Sequence, residues 1–289
     1  MNNKPVNLAT HADARRERIL TLLELSGGWC SGEFISAQLG ISRAAVAKHM
    51  AILRSSGHCI ESAPRRGYRL AVKMDCLSRE CMDGLLVTSV LGKKEWRYLN
   101  ETTSTNKIAA LWAVEDAEEG GLVLAEHQVS GRGTKGSSWH TTPRGLQFSV
   151  IFRPAIKENI TQVFTMLGTV AVTEAVRRLC PLKPVIKAPN DVLINGRKVC
   201  GVLVEVGLLD GDAAWAVLGI GCNVNAQSSD FPNELSLLAT SLLVEGGTPV
   251  SRQALLAVVL ERLEFWYGCI RQGTPSSLQA RWEHLRTQV

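Results

Sequence analysis

Three glycines and two cations stand within six residues near the middle of the chain: Gly131, Arg132, Gly133, Thr134, Lys135 and Gly136. Glycine lets backbone amides approach an anion closely, and arginine and lysine supply positive charge. This glycine loop therefore predicts a binding site for a phosphate or a carboxylate.

The spacing of the glycine loop, G-x-G-x-x-G, also occurs in dinucleotide-binding motifs. Such a motif needs a helix that begins at the third glycine and an acidic residue about 20 positions further on. Residues 139–157 instead contain Pro143 and Gly145 and no carboxylate. A P-loop would need a lysine after the third glycine and then a helix, whereas residues 146–152 are typical of a strand. The sequence therefore predicts an anion-binding loop between two strands.

The length of 289 residues allows about two domains. The N-terminus lacks the charged and apolar regions of a signal peptide, and no run approaches about 18 apolar residues. Eight cysteines show no C-x-x-C spacing, and several stand in apolar runs. They predict reduced core residues rather than metal ligands or disulfides. We expect a soluble, cytoplasmic protein without a membrane partner.

Positive charge is concentrated in the first quarter of the chain. Residues 1–75 contain 11 lysines and arginines against 6 acidic residues, whereas residues 76–289 contain 21 of each kind. A local basic surplus of this kind is typical of a nucleic-acid-binding module joined to a neutral domain with another task.

The basic quarter contains three segments with helical spacing of apolar residues: 12–25, 31–39 and 43–54. The short turn at residues 40–42 is typical of a helix-turn-helix, in which the third helix enters the major groove of DNA. Ser42 is expected to cap that helix. The DNA-contacting candidates in this region are Ser42, Arg43, Ala44, Lys48 and His49.

Two short strands at residues 58–61 and 67–70 predict a hairpin wing whose turn carries Arg65 and Arg66. Both arginines are candidates for contacts with DNA phosphates. The alternative is a small helical protein-interaction domain with a basic, solvated face. The third helix and the wing carry six cations against one glutamate, which favours DNA.

The rest of the chain alternates strand patterns with helix patterns after a linker and short helix at residues 74–91. It predicts an α+β domain with one large mixed sheet. The predicted strands are 121–127, 146–152, 184–187, 192–194, 199–206 and 214–224, and the predicted helices are 159–179, 252–271 and 276–285.

Short motifs follow one another in a fixed order: residues 42–45 with the wing, 103–106, 125–139, 189–191, 196–201 and 219–223. In this order they resemble the bifunctional biotin protein ligases that also repress the biotin operon. The resemblance covers roughly residues 15–287. It implies a winged helix-turn-helix DNA-binding domain at 1–75 and a catalytic domain of the class II synthetase-like biotin/lipoate ligase type at 76–289. The small C-terminal SH3-like β-barrel of many members is expected to be absent.

The resemblance also implies an activity. Members activate biotin with ATP and Mg²⁺, giving biotinyl-5'-adenylate and pyrophosphate, and then transfer biotin to a lysine of a biotin carboxyl carrier protein, such as a subunit of acetyl-CoA carboxylase. The adenylate also promotes a homodimer on operator DNA. The first step joins two anions, so fixed cations, amides and magnesium must offset their repulsion.

Roles for single residues follow from the same resemblance, with Lys198 and Arg132 as the catalytic pair. The biotin-binding set is Ser104, Thr105, Asn106, Gln128, Arg132, Gly133, Thr134, Lys198 and Gly201. The ATP and magnesium set is Gly131, Lys135, Trp139, Asn190, Asp191 and Asn223, with Asp191 as the candidate Mg²⁺ ligand.

Each of these residues also has a purely structural interpretation. Residues 104–106 could cap a helix, residues 189–191 could form a turn, and Lys198 could be an ordinary surface lysine. Trp139 is expected to anchor the far end of the glycine loop under either interpretation. Two positions depart from the family: Thr134 stands where many members have Arg or Gln, and Ala188 replaces an aromatic residue.

Two other functions remain open at this point. One is a non-catalytic, biotin-responsive transcription regulator that keeps the pocket without efficient chemistry. The retention of Arg132, Lys198, Asn190 and Asp191 favours the enzyme, because a sensor of free biotin does not need a cationic loop together with a magnesium-type aspartate. The other is a lipoate-handling ligase, against which the winged helix and the glycine loop favour biotin.

Overall fold

A computed structural model describes residues 11–55, 59–72, 76–154, 159–209 and 212–286. The chain divides into two compact units, Met1–Asp75 and Cys76–Val289. In the described part of the chain, no helix combines the length and apolarity that crossing a membrane requires.

The first unit opens with three helices joined by tight turns. Gly40, in the left-handed conformation with φ of 62°, ends the second helix. The Ser42 hydroxyl then accepts a hydrogen bond from the Ala45 amide at 3.2 Å, which confirms the predicted cap at the start of the third helix. The helices are α1 (His11–Ser26), α2 (Gly32–Leu39) and α3 (Arg43–Ser55).

The wing is an antiparallel hairpin of β1 (Cys59–Ala63) and β2 (Gly67–Val72). Gly67 has a φ of 94° and packs directly on the backbone of Cys30, where any Cβ would overlap the chain. This close approach lets Cys30 and Tyr68 exchange two backbone hydrogen bonds of 2.7 and 2.8 Å. The core of this unit contains Ile19, Leu23, Ile35, Val46, Met50, Leu53 and Ile60.

The second unit is built on a seven-stranded mixed sheet with the order β3-β4-β5-β9-β8-β7-β6. Only the β3–β4 pair is parallel among the described strands, and the other pairs are antiparallel. The strands are β3 (Trp96–Thr102), β4 (Leu122–Gln128), β5 (Leu146–Phe152), β6 (Val185–Lys187), β7 (Asp191–Ile194), β8 (Arg197–Leu209) and β9 (Asp212–Cys222).

Long helices bury one face of this sheet. Phe152 of the sheet, Phe164 and Tyr267 form an aromatic cluster with ring centroids 4.9 to 5.8 Å apart. A shorter helix, α5, covers part of the other face and buries Trp112. The helices are α4 (Arg79–Met82), α5 (Thr105–Val114), α6 (Ile160–Leu179), α7 (Leu242–Gly246), α8 (Arg252–Arg271) and α9 (Pro275–Leu285).

The predicted α+β class and the strand–loop–strand setting of the glycine loop are confirmed, since β4 ends at Gln128 and β5 begins at Leu146. Strand β3 is not among the predicted strands, because its WRYLNET sequence lacks clear alternation. The expectation of core cysteines holds for Cys30, Cys180, Cys200 and Cys222, which are buried and free. It is wrong for Cys81, which is exposed, and for the half-buried Cys76 and Cys269.

Candidate functional site

A cleft lies over one face of the sheet in the second unit. It is lined by every residue assigned to biotin above, and also by Trp139 and Asn190 of the nucleotide set. These residues come from distant parts of the chain: the start of α5, the end of β4, the glycine loop, the turn before β7 and the strand β8. The sheet order brings them together.

Glycines make the floor of the cleft. Gly219 and Gly221 stand on β9 and line the cleft. A Cβ at Gly219 would overlap the Asn106 amide, and a Cβ at Gly221 would lie 2.5 Å from the Trp139 ring. Both positions therefore need glycine so that Asn106 and Trp139 can lie flat on the sheet.

One end of the cleft holds a buried hydrogen-bond network. Gln128 Oε1 accepts from the Thr105 backbone amide at 2.8 Å and from its hydroxyl at 3.2 Å. The Ser149 hydroxyl contacts Thr105 Oγ1 at 2.8 Å and Asn106 Oδ1 at 2.7 Å. Ser104 occupies the N-cap position of α5, but its side chain makes no capping hydrogen bond. Ser104 therefore stands at the cap position of the helix, but its side chain does not cap it.

The glycine loop closes on itself above the floor. The Trp139 amide donates to the Gly131 carbonyl at 2.9 Å, and the Gly133 amide donates to the Ser137 carbonyl at 2.7 Å. A single 3-10 turn, Thr134–Gly136, forms the tip. The loop is thus a small hairpin that is tied by its own backbone hydrogen bonds.

Each described cation of the cleft contacts one carboxylate. Arg132 Nη1 lies 2.9 Å from Glu205 Oε1 on β8, and the Arg132 side chain is 56% exposed. Lys198 Nζ lies 2.6 Å from Asp191 Oδ1 and 5.6 Å from the centre of the Trp139 ring. The side chain of Lys135 lies outside the described part of the structure.

The remaining nucleotide candidates lie around this cluster. Asn190 donates to the Val202 carbonyl at 3.0 Å, and Asn223 donates to the Thr240 carbonyl at 3.0 Å. Asn223 also accepts from the Thr142 hydroxyl at 3.2 Å. Gly131, the first residue of the glycine loop, is buried. Asp191 and Asn223 do not line the cleft itself but border its lining residues.

The site offers cations rather than a nucleophile. Cys200 is the cysteine nearest in sequence to Lys198, and burial, followed by its hydrogen bond with Cys222, raises the pKa of its thiol well above the usual range. Among the described residues, no three His, Cys, Asp or Glu side chains gather as a metal site. A single aspartate with neighbouring amide oxygens suits Mg²⁺ that is held mainly by substrate phosphates.

Sequence reasoning missed several residues of the site. Glu205 has no local signal, because its pairing with Arg132 depends on how β8 crosses the sheet. Ser149 and Gln147 were predicted only as members of a strand, although both are buried polar residues at alternate positions. Their polar side chains within an otherwise apolar strand are the sequence signal that could have identified them as site candidates.

The DNA-contacting candidates of the first unit are largely on its surface. Ser42, Arg43, Ala44 and Lys48 are exposed at the start and on one side of α3. Arg65 is exposed at the tip of the wing with a φ of 65°. The Arg66 guanidinium lies 4.7 Å from the centre of the Trp29 ring, where it stacks as a cation on the aromatic face.

His49 differs from the expectation that it faces outward. The residue is half-buried, and its Nδ1 is enclosed without a hydrogen-bond partner in the described structure. Burial, followed by the positive charges of Arg16, Arg15 and Lys48, lowers the pKa of its imidazole. His49 is therefore disfavoured as a cationic phosphate contact.

Comparison with known proteins relates both units to established groups. Residues 98–223 match the biotin/lipoate A/B protein ligase family, and residues 15–69 match an HTH domain. The bifunctional ligase/repressor BirA of Bacillus spizizenii is 38% identical over 247 residues, which span 85% of this chain and 76% of the relative. A biotin--[acetyl-CoA-carboxylase] ligase of Mycobacterium tuberculosis is 33% identical over 58% of this chain and 64% of its own length.

A solved structure shares the fold. The biotin protein ligase from Aquifex aeolicus in complex with biotin and ATP superposes with a TM-score of 0.59 at 30% identity. The superposition covers 67% of this chain and 78% of the Aquifex chain.

Proposed function

Because the chain belongs to the bifunctional ligase/repressor family of biotin protein ligases, we propose that its cleft binds biotin and ATP, joins them as biotinyl-5'-adenylate, and transfers biotin to a carrier protein. The observation that carries this function is the convergence of Arg132 and Lys198 with a buried amide network on one glycine floor. This arrangement suits two anions that must be brought into contact.

In the first step, an oxygen of the biotin carboxylate attacks the α-phosphorus of ATP, and pyrophosphate leaves. Lys198 binds the carboxylate and the α-phosphate at once and reduces the repulsion between them. In the second step, a lysine amine of the carrier attacks the acyl carbon, and AMP leaves. Arg132 and the loop amides hold the adenylate until the carrier arrives.

Both cations are paired with carboxylates of the protein, Arg132 with Glu205 and Lys198 with Asp191. The Arg132 side chain is 56% exposed, and ion pairs at the solvent stabilise a protein by only about 0–1 kcal/mol. A phosphate or carboxylate bound in a closing cleft forms stronger, charge-assisted hydrogen bonds. Substrate binding therefore transfers Arg132 from Glu205 to the ligand.

Biotin occupies the end of the cleft that contains Thr105 and Gln128. Its ureido ring carries N–H donors and a carbonyl acceptor, which match the hydroxyl and amide groups of Ser104, Thr105 and Gln128. Asn106 orients this end through its bonds to Ser149 and to the Leu203 carbonyl. ATP lies toward Trp139, Asn190 and Asn223. Asp191 would hold Mg²⁺ together with the substrate phosphates, and the ion would supply Lewis-acid stabilisation of phosphate charge.

The first unit acts as the repressor module. Arg43 and Lys48 of α3 and Arg65 of the wing form a basic surface on a helix-turn-helix, the fold that places its third helix in the major groove. The adenylate-bound form assembles as a homodimer, whose twofold symmetry matches two operator half-sites. Because the biotinyl-adenylate also promotes this homodimer, it is both the acyl donor of the transfer reaction and the corepressor.

Pyrophosphate release tests the first step. The full chain is incubated with Mg-ATP with and without biotin, and the expected result is pyrophosphate release that depends on both substrates. Lys183→Ala, which removes an exposed lysine away from the cleft, serves as the matched control for lysine substitutions and should react normally. Biotin binding without any biotin-dependent pyrophosphate release would instead support the non-catalytic regulator.

A further inference from the structure

Two cysteines at the start of the second unit, Cys76 and Cys81, have no part in the reaction described above. Cys76 is half-buried, Cys81 is exposed, and both are free thiols. The two thiols are within hydrogen-bonding reach of one another, and each also contacts Ser78, which stands between them in the sequence. An oxidant in solution reaches an exposed thiol, and a neighbouring thiol is what disulfide formation requires.

The backbone of both cysteines is fixed to the core. Gln253 Nε2 on α8 donates to the Cys76 carbonyl at 2.8 Å and to the Cys81 carbonyl at 3.5 Å, so one amide group links the two residues. The adjoining side chains of Leu77 and Met82 are 1% and 0% exposed and belong to the core of the unit. The two thiols are therefore kept next to one another by the packing around them.

The surroundings give the two sulfurs different reactivity. Burial raises the pKa of the Cys76 thiol, but hydrogen bonds from the Ser78 side chain, from Cys81 and from the Ser78 amide outweigh it and leave the pKa below its usual value. The hydrogen bond with Ser78 lowers the pKa of the Cys81 thiol, but the hydrogen bond with Cys76, followed by burial, raises it overall. The thiolate is the nucleophile in thiol chemistry. Cys76 is therefore the sulfur that reacts first, with Cys81 as the thiol beside it.

We propose that Cys76 and Cys81 are a redox-sensitive site that hydrogen peroxide converts to a reversible disulfide. The Cys76 thiolate attacks one oxygen of the peroxide, the O–O bond breaks and hydroxide leaves, so the sulfur is oxidised to a sulfenic acid and the peroxide is reduced. The Cys81 sulfur then attacks the sulfenic sulfur. The S–O bond breaks, and the hydroxyl group leaves as water with the Cys81 proton. A dithiol reductant reverses the oxidation by thiol–disulfide exchange.

A second cysteine pair provides an internal comparison. Cys200 on β8 and Cys222 on β9 are directly opposite one another, and their thiols are hydrogen-bonded. Both are 0% exposed, and the pKa of the Cys200 thiol is raised by burial. This pair has a neighbouring thiol but neither solvent access nor thiolate character. It should therefore stay reduced under conditions that oxidise Cys76 and Cys81.

The test follows the thiols of the full chain by mass spectrometry. The protein is treated with hydrogen peroxide in small molar excess, unfolded in N-ethylmaleimide and digested with trypsin. Cleavage after Arg79 leaves Cys76 on the peptide 74–79 and Cys81 on the peptide 80–93, so a disulfide is what holds these peptides together. We expect two of the eight thiols to escape maleimide labelling and the two peptides to appear as one cross-linked species. Dithiothreitol should separate them.

Three variants distinguish this site from general oxidation. Cys81→Ser should abolish the cross-linked species and leave Cys76 as a sulfenic acid, which dimedone labels. Cys269→Ser, the matched control, removes another half-buried cysteine and should form the cross-link as the wild type does. Ser78→Ala removes a hydroxyl that supports the Cys76 thiolate and should slow the cross-linking several-fold.

Three results would overturn the proposal. They are full maleimide labelling of the treated wild type, oxidation of Cys269 or of the Cys200 and Cys222 pair ahead of the site, and a covalent dimer on a non-reducing gel, since the cross-link would then join two chains. The measurement needs neither biotin nor ATP. Its outcome is therefore independent of the pyrophosphate assay.

Discussion

Two polar clusters of the second unit contrast with one another: the Glu174 cluster beneath the sheet and the cleft above it. Glu174 on α6 is bonded by Arg262 at 2.7 Å, Trp266 at 3.0 Å and Arg281 at 2.7 Å. The cleft is instead lined by Trp139, whose Nε1 has no described partner, and the carboxamide of the buried Gln147 on the same sheet has none either.

The Glu174 cluster stabilises the second unit, whereas the polar groups of the cleft are available to bind a ligand. Both oxygens of Glu174 are occupied by side chains from α8 and α9, so this cluster ties three helices together. In the cleft, unpaired polar atoms and weakly held cations lower the stability of the ligand-free protein but are ready for substrate. Substitutions in the first cluster should therefore change stability, and substitutions in the cleft should change chemistry.

Removal of the Lys198 ammonium should have the largest effect on activity. Lys198→Ala is expected to lower the rate of adenylate formation about 100- to 1000-fold, the usual loss when one preorganised charge-stabilising group is removed. Its unfolding midpoint in urea should remain close to that of the wild type. Near-normal pyrophosphate release by this variant would remove Lys198 from the mechanism.

Glu174→Gln should show the opposite pattern. The amide cannot accept from Arg262, Trp266 and Arg281 as a carboxylate does, so the free energy of unfolding should fall by about 1–3 kcal/mol. Denaturation in urea measures this loss, while the KM values for biotin and ATP should not change. An active-site defect at full stability would break the distinction between the two clusters.

Arg132→Gly should release the adenylate faster. Loss of one charge-assisted contact predicts a roughly tenfold or larger increase in the off-rate of biotinyl-adenylate. Arg132→Lys keeps the charge but not the planar guanidinium, so its off-rate for the adenylate should lie between those of the wild type and Arg132→Gly. Stopped-flow release of the adenylate compares the three proteins, and equal off-rates would exclude a role for the guanidinium in retention.

The stability that the Glu174 cluster contributes should decrease at acidic pH. Burial raises the pKa of Glu174, but the hydrogen bonds from Trp266, Arg281 and Arg262 outweigh it and leave the pKa below its usual value. A depressed carboxyl pKa stabilises the fold above the unfolded value of about 4.3, and that stability is lost as the pH falls through the folded pKa. The stability difference between wild type and Glu174→Gln should therefore be full at neutral pH and shrink below about pH 4. A difference that stays constant to pH 3 would contradict this assignment.

The smallest effect concerns the first unit. Arg65→Ala should weaken operator binding and reduce the slope of log K against log salt by about 0.9, as expected for one lost phosphate contact. Fluorescence anisotropy over a range of salt concentrations measures the slope. His49→Gln should leave the slope unchanged, since the half-buried imidazole is disfavoured as a cation. If the salt slope changed with His49→Gln and not with Arg65→Ala, the phosphate contact would belong to His49 instead of Arg65.

Local sequence predicted the parts of this molecule that depend on short-range chemistry. The Ser42 cap, the turn after Gly40 and the strand–loop–strand setting of the glycine loop follow from residue types and spacing, and the structure confirms them. Resemblance then supplied the role of Lys198.

What the sequence did not predict depends on contacts between distant strands. Glu205 meets Arg132 only because β8 passes beneath the loop, and Gln147 lies between Ala125 and Gly221 only because β5 pairs with β4 and β9. Strand β3 was missed because its pattern is weak and its place at the sheet edge is set by parallel pairing with β4. Pairing over such separations has no local signature.

Transfer of labelled biotin to a carrier tests the central claim most directly. The full chain is incubated with labelled biotin, Mg-ATP and a biotin carboxyl carrier domain, beside reactions without ATP and with a carrier whose acceptor lysine is replaced by arginine. The account predicts label on the carrier that requires ATP and the acceptor lysine and that is lost with Lys198→Ala. No label on the carrier, from a folded protein that binds biotin, would contradict it.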